Sequence, residues 1–179
     1  MTSSNEYVII GVDPGLTTGV FTWHSGQPAP GFAAYRASET LYPWFEGLHI
    51  EAESFPDRFG REMRGWCSNM PPERIHVAIE RYIITPKTAK LSQQTEALEV
   101  TGMAKGFAAL AGITDVRQYA KANLKFASDD MLKAVGWWNP KMRHANDAAR
   151  QTFALLKDVD YPRWSELVRD AKMEPTTEG

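Results

Sequence analysis

The sequence predicts an α/β fold, a mixed five-stranded sheet flanked by helices. Three observations predict it. Two short apolar runs, 7–12 (YVIIGV) and 75–79 (IHVAI), are nearly continuous rather than alternating, as in strands covered on both faces and hence central in a sheet. Each run ends in a carboxylate, Asp13 and Glu80. The remaining segments read, in chain order, as βββ–α–β–α–β–α–α, an alternation that builds one layered domain. With 179 residues the chain is long enough for a single domain with a proper core.

The opening stretch, YVIIGVDPGLTTGVFTW, places a Pro14-Gly15 turn between the first strand and a second over 20–23. A turn-rich link, 26–30, leads to a third strand expected over 31–36. From Ser38 to Asn69 the pattern is helical but interrupted, with Pro43 in one first turn and Pro56 forcing a second start. Pro71-Pro72 closes it before the strand that ends in Glu80. Thr85 to Leu91 reads as a loop carrying Lys87 and Lys90. Residues 92–112 form the clearest helix, with Ala97, Val100, Met103, Ala104, Phe107, Leu110 and Ala111 on one face. A fifth strand is expected over 114–119 and a helix over 128–135, for which Ser128 is the cap. The break GWWNP precedes the last strong helix, 144–157. Residues 1–157 thus read as the domain and 158–179 as a C-terminal extension, whose polar end is expected to be disordered.

Composition narrows the function classes. No apolar run approaches the roughly 20 residues needed to span a bilayer, and the N-terminus lacks a basic segment followed by an apolar one. No membrane partner is therefore expected. Cys67 is the only cysteine, which rules out an internal disulfide and suits a reducing compartment. A net charge of −2 excludes a bulk polycation, but not a local basic patch. Charge is uneven: Arg117, Lys121, Lys125, Lys133, Lys141 and Arg143 stand against only Asp129 and Asp130 in the same stretch, either a local basic patch or simply solvated helix faces.

Three acids stand out. Asp13 and Glu80 end the two apolar strands, so parallel neighbours would set them side by side. Asp147 lies in the first turn of the last helix, with His144 three residues ahead on the same face. Gathered carboxylates repel unless a cation joins them, and oxygen-rich sites suit Mg²⁺ or Mn²⁺. Such ions activate water and stabilise the leaving oxygen of a phosphodiester.

These pieces, GVDPGLTTGV, VAIERY, TEALEVTGMAKGFAAL and HANDAARQTFALL, resemble in order and spacing the RuvC-type Holliday-junction resolvases, closest to their bacteriophage branch. The resemblance spans roughly residues 7–157. It implies a ribonuclease H-like fold and a Mg²⁺-dependent endonuclease, with Mn²⁺ as substitute, that resolves four-way DNA junctions by paired nicks. It implies a homodimer acting in the cytoplasm of a bacterial or phage-infected cell. The family's metal-binding acids map to Asp13, Glu80 and Asp147, and its variable fourth position, Asp or His, maps to His144. YAKANLK (119–125) is similar to the segment that carries the family's phosphate-contacting basic residues. DNA contacts are accordingly expected from Lys121, Lys125, Lys133, Lys141 and Arg143, with Lys87 and Lys90 nearby. Tyr82, after Glu80, is a candidate for stacking on unpaired bases and equally for core packing. Helix 92–112, with Gly102 and Gly106, is the expected dimer contributor, although its glycines could instead pack within the monomer.

The family's Gly-rich stretch ending in lysine is not recognisable here. A DxG opening also occurs in actin-like ATPases and sugar kinases, but these need a second domain and a second phosphate loop. The remaining alternatives are a ribonuclease H-like nuclease for forks and flaps, and a protein that binds branched DNA without cutting it.

Overall fold

The computed structural model of the chain describes residues 6–26, 45–51, 54–83 and 94–173. The expected third strand at 31–36, the loop with Lys87 and Lys90, Ser92 and the polar end lie outside the described residues. Five strands form one sheet in the order β3-β2-β1-β4-β5. They are β1 (Val8–Asp13), β2 (Thr17–His24), β3 (Phe45–Glu51), β4 (Ile75–Glu80) and β5 (Val116–Tyr119). β1 pairs antiparallel with β2 and parallel with β4; β2–β3 is antiparallel and β4–β5 parallel. The two apolar runs are thus central neighbours, as their composition requires.

Helices α1 (Phe55–Asn69) and α2 (Gln94–Leu110) cover one face. The other face carries α3 (Asp129–Ala134), α4 (Arg143–Val159) and α5 (Tyr161–Met173). Side chains alternate across a strand. Val8, Ile10 and Val12 of β1, with Ile75, Val77 and Ile79 of β4, pack with Phe55, Phe59, Val100 and Ala104. Ile9 and Ala78 turn the other way, against Ala148, Ala149 and Phe153 of α4. By that parity, Asp13 and Glu80 belong to the face covered by α4.

Of the interrupted helical stretch expected over 38–69, the second start near Pro56 is a helix, but 45–51 is a strand. Residues 45–51 pair along β2, with Phe45 opposite Trp23 and Glu51 opposite Thr17. The helix begins only at Phe55, with Pro56 in its first turn. FEGLHIE satisfies a helical i, i+3 spacing through Phe45 and Leu48 and a strand spacing through Leu48 and Ile50. An open edge of β2 decides between them, because a strand there satisfies a whole row of backbone groups. A second correction concerns α2. Ala97, Val100, Ala104 and Ala108 are buried as its inner face, whereas Leu110 is 87% exposed. Gly102 and Gly106 have no neighbour within 4 Å of an added Cβ among the described residues.

Ser128 caps α3 as expected, accepting a hydrogen bond from the Met131 N–H at 3.2 Å. α5 seats Leu167 in the core, and its Trp164 ring lies 5.8 Å from that of Phe153. No helix among the described residues is long and apolar enough to cross a membrane.

Candidate active site

Val12 of β1 is in register with Ile79 of the parallel strand β4, so the next residues, Asp13 and Glu80, are adjacent at one edge of the sheet. Asp13 is buried, and Glu80 is partly buried, with its Oε2 enclosed and without a hydrogen-bond partner among the described residues. Burial raises the Glu80 carboxyl to about 7; the charge of Asp13 and a hydrogen bond to it add to the rise, and Lys121 opposes it. Two adjacent carboxylates cannot both ionise cheaply, so Glu80 keeps its proton toward neutral pH.

Helix α4 brings the other two residues, and two glycines let it sit close enough. A Cβ on Gly19 of β2 would lie 1.9 Å from the His144 carbonyl oxygen. One on Gly11 of β1 would lie 2.2 Å from that of Ala148. Neither position has room for a side chain, because backbone stands in the way. The chain before α4 is clamped to it by Asn146. The Asn139 N–H donates to Asn146 Oδ1 at 2.9 Å, and Asn146 Nδ2 donates to the Asn139 carbonyl at 2.8 Å.

Seated this way, His144 places Nδ1 2.9 Å from Asp13 Oδ2. The hydrogen bond to Asp13 is the main cause that raises the imidazole pKa; desolvation works against it, and the charges of Asp13 and Asp147 add to the rise. The protonated ring is thus favoured, as carboxylate neighbours require. Asp147 is held by two cations. Lys121 Nζ donates to its Oδ2 at 2.9 Å, and Arg150 Nη1 donates to its Oδ1. Arg150 is itself anchored on Asp129 and on the Ala127 carbonyl, and lies over the Trp138 ring.

The structure therefore brings together Asp13, Glu80, His144 and Asp147, with Lys121 among them. Among the described residues, no three His, Cys, Asp or Glu side chains stand as a ready cage for a metal ion. The donors nonetheless suit a hard divalent ion: three carboxylates, one with a buried unpartnered oxygen, and a positive charge already attracted to them. As placed, the neutralising charge comes from Lys121 and Arg150 on Asp147 and from the His144 imidazolium on Asp13.

Two depressions flank these residues. A groove of about 580 Å³ runs beside Asp147, lined among others by Lys121, Lys125, Arg143, Arg150 and Trp138. A cleft of about 380 Å³ beside His144 is lined by the Pro14–Thr17 turn and by Tyr82 and Ala97. Lys133 is paired with Asp130 at 3.4 Å and lies against Trp138, at the margin of the groove. Lys141 is exposed next to the groove residue Pro140. Tyr82 is half-buried in the cleft wall, and Lys87 and Lys90 are outside the described residues.

Sequence reasoning did not find Arg150, Trp138 or the Lys121–Asp147 contact. Arg150 at i+3 from Asp147 was a visible signal. Its second acid, Asp129, lies 21 residues away, and only the packing of α3 beside α4 reveals it.

No protein-family model matches the chain, and no curated protein matches it. Solved structures do. RuvC of T. thermophilus in complex with a Holliday junction substrate superposes with a TM-score of 0.54 at 16% identity, over 86% of this chain and 96% of that one. A second Thermus thermophilus RuvC structure gives 0.55 at 17% identity, over 84% and 95%. The fold is that of RuvC. Nearly the whole length of the RuvC chains is matched, so the likeness is to the complete fold rather than to a shared fragment. The five-stranded mixed sheet has the ribonuclease H-like fold that the resemblance implied.

Proposed function

We propose that the chain is a divalent-metal-dependent endonuclease that resolves four-way DNA junctions. The observation that carries this reading is the meeting of Asp13, Glu80, His144 and Asp147 at one sheet edge, beside a basic groove, on a RuvC fold. Asp13, Glu80 and Asp147, with His144 at their margin, would hold Mg²⁺ or Mn²⁺. The ion would supply charge for the phosphate and acidify a water.

The chain's own residues do the rest. Lys121, Lys125 and Arg143 line the groove and bind the phosphate backbone, with Lys133 and Lys141 as outer contacts; Lys87 and Lys90, outside the described residues, are proposed as further DNA contacts from the sequence alone. Hydrolysis joins a water oxygen to phosphorus, the water's proton passing to solvent, and breaks one P–O ester bond, whose departing sugar oxygen takes up a proton. The His144 imidazolium, kept charged by Asp13, can give that proton or hold the phosphate. Tyr82, in the cleft wall, is placed to meet a base that leaves the stack.

Two symmetric cuts call for two sites, and a two-fold homodimer supplies them. The exposed stripe of α2 through Leu98, Gly102 and Gly106 supports that assembly. Light scattering of the protein, free and junction-bound, tests it; a monomer in both states refutes the dimer.

The test of the activity is a cleavage panel in Mg²⁺: four-way junctions, forks, flaps and RNA–DNA hybrids. Paired nicks in the four-way junction, lost in Asp13→Asn and Glu80→Gln while binding persists, are the expected result. Preference for forks or flaps would replace the substrate class. Binding without any cutting, or wild-type cutting by either variant, would overturn the nuclease site.

A further inference from the structure

Asp147 carries a cation on each oxygen, and the two cations are held in different ways. Arg150, on Oδ1, is 15% exposed and fixed by Asp129, the Ala127 carbonyl and the Trp138 ring. Lys121, on Oδ2, is 56% exposed, and the one hydrogen bond its ammonium makes among the described residues is the one to Asp147. It stands in the short helical turn Lys121–Asn123 that follows β5, at the end of a flexible four-carbon stem. Its ammonium feels Asp147, Glu80 and Asp13 together, and it also lines the groove with Lys125 and Arg143. One oxygen of Asp147 is thus locked and the other is held by a group that can leave.

We propose that Lys121 is a resident counter-cation of the acidic site, which yields Asp147 Oδ2 to a divalent ion and turns into the groove toward a DNA phosphate. The proposal rests on the nuclease reading of the site and adds an order of events to it. Without the ion, the carboxylates need a positive charge, and Lys121 provides it without closing the site permanently. With the ion, one cation too many crowds the same oxygens, and the mobile one is expelled. Arg150 stays and keeps Asp147 in place. Metal loading and phosphate capture are thereby coupled through a single side chain.

The consequence is counterintuitive: removing a positive side chain from the site should improve metal binding while impairing cutting. The test is calorimetric titration of Mn²⁺ alone into the full-length chain without DNA. Lys121→Met should bind Mn²⁺ on the order of tenfold more tightly, because a direct competitor is gone. Lys172→Met, the same charge change at the end of α5, should bind as wild type does. Lys121→Arg, which keeps a cation there, should bind no more tightly than wild type. A second measurement on the wild type does not depend on any variant folding. Reductive methylation of Lys121, read by peptide mass spectrometry, should rise when Mn²⁺ is added. Equal or weaker Mn²⁺ binding by Lys121→Met, or methylation indifferent to Mn²⁺, overturns the proposal. A wild type that binds no Mn²⁺ overturns it too, and the cleavage panel then judges the nuclease reading separately.

Discussion

Glu80→Gln removes a carboxyl that the fold holds in the wrong charge state for neutral solution. Its pKa is raised from 4.5 to about 7, first by burial and then by Asp13. The folded state therefore binds the Glu80 proton more tightly than the unfolded chain does. Below pH 4.5 both states are protonated and the site costs nothing. As pH climbs toward 7 the unfolded chain gives up its proton first, and folding stability falls. At about 1.4 kcal/mol per pKa unit the full loss is about 3 kcal/mol, discounted to about 1–2 kcal/mol for a carboxyl that is partly solvent-screened. Glutamine does not titrate, so the variant escapes this loss. Without divalent ions, denaturant unfolding should show Glu80→Gln more stable than wild type at pH 8 and close to it at pH 4.5. The difference should develop between those values. A variant less stable at pH 8, or a difference independent of pH, would refute the reasoning that burial and the charge of Asp13 hold Glu80 protonated. The same variant should be inactive, so stability and activity move in opposite directions at one residue.

Other expectations follow from the seat of α4 and the charges around it. Gly19→Ala sets a Cβ into the His144 backbone, and should cost at least about 1–3 kcal/mol in chemical unfolding while lowering cleavage further than lost stability accounts for. Cleavage that tracks the folded fraction alone would count against it. The His144 imidazole should titrate above 6.5 by NMR, and Asp13→Asn should lower its midpoint. Because this folded pKa is raised, the contribution of the His144–Asp13 pair is full below pH 6.5 and lost as pH rises through the folded value. His144→Ala should therefore be most destabilising in mild acid, and a penalty that grows with pH would contradict the pairing. Lys125→Glu with Arg143→Glu should weaken junction binding and flatten its dependence on salt by about one to two counterions. An unchanged salt slope would remove the groove from the DNA path.

The sequence by itself determined the sheet's centre and the position of its acids. A nearly continuous apolar run can only be buried on both faces, and a carboxylate at its end can only sit at a sheet edge. The His144-to-Asp147 spacing likewise put both residues on one helical face before any packing was known. Those inferences hold because they depend on local periodicity and on the cost of burying charge. What only the tertiary structure decided depends on partners distant in the chain. Residues 45–51 became a strand because β2 had an edge to pair, a fact absent from their own ambiguous spacing. Gly11 and Gly19 matter because α4, more than 120 residues later, lies against them. Gly102 and Gly106 were open to two readings until the inner face of α2 was seen to be the alanine side. The charge around Asp147 was least legible of all: Lys121, Arg150 and Asp129 come from three separate elements, and only their packing makes one carboxylate the meeting point of two cations.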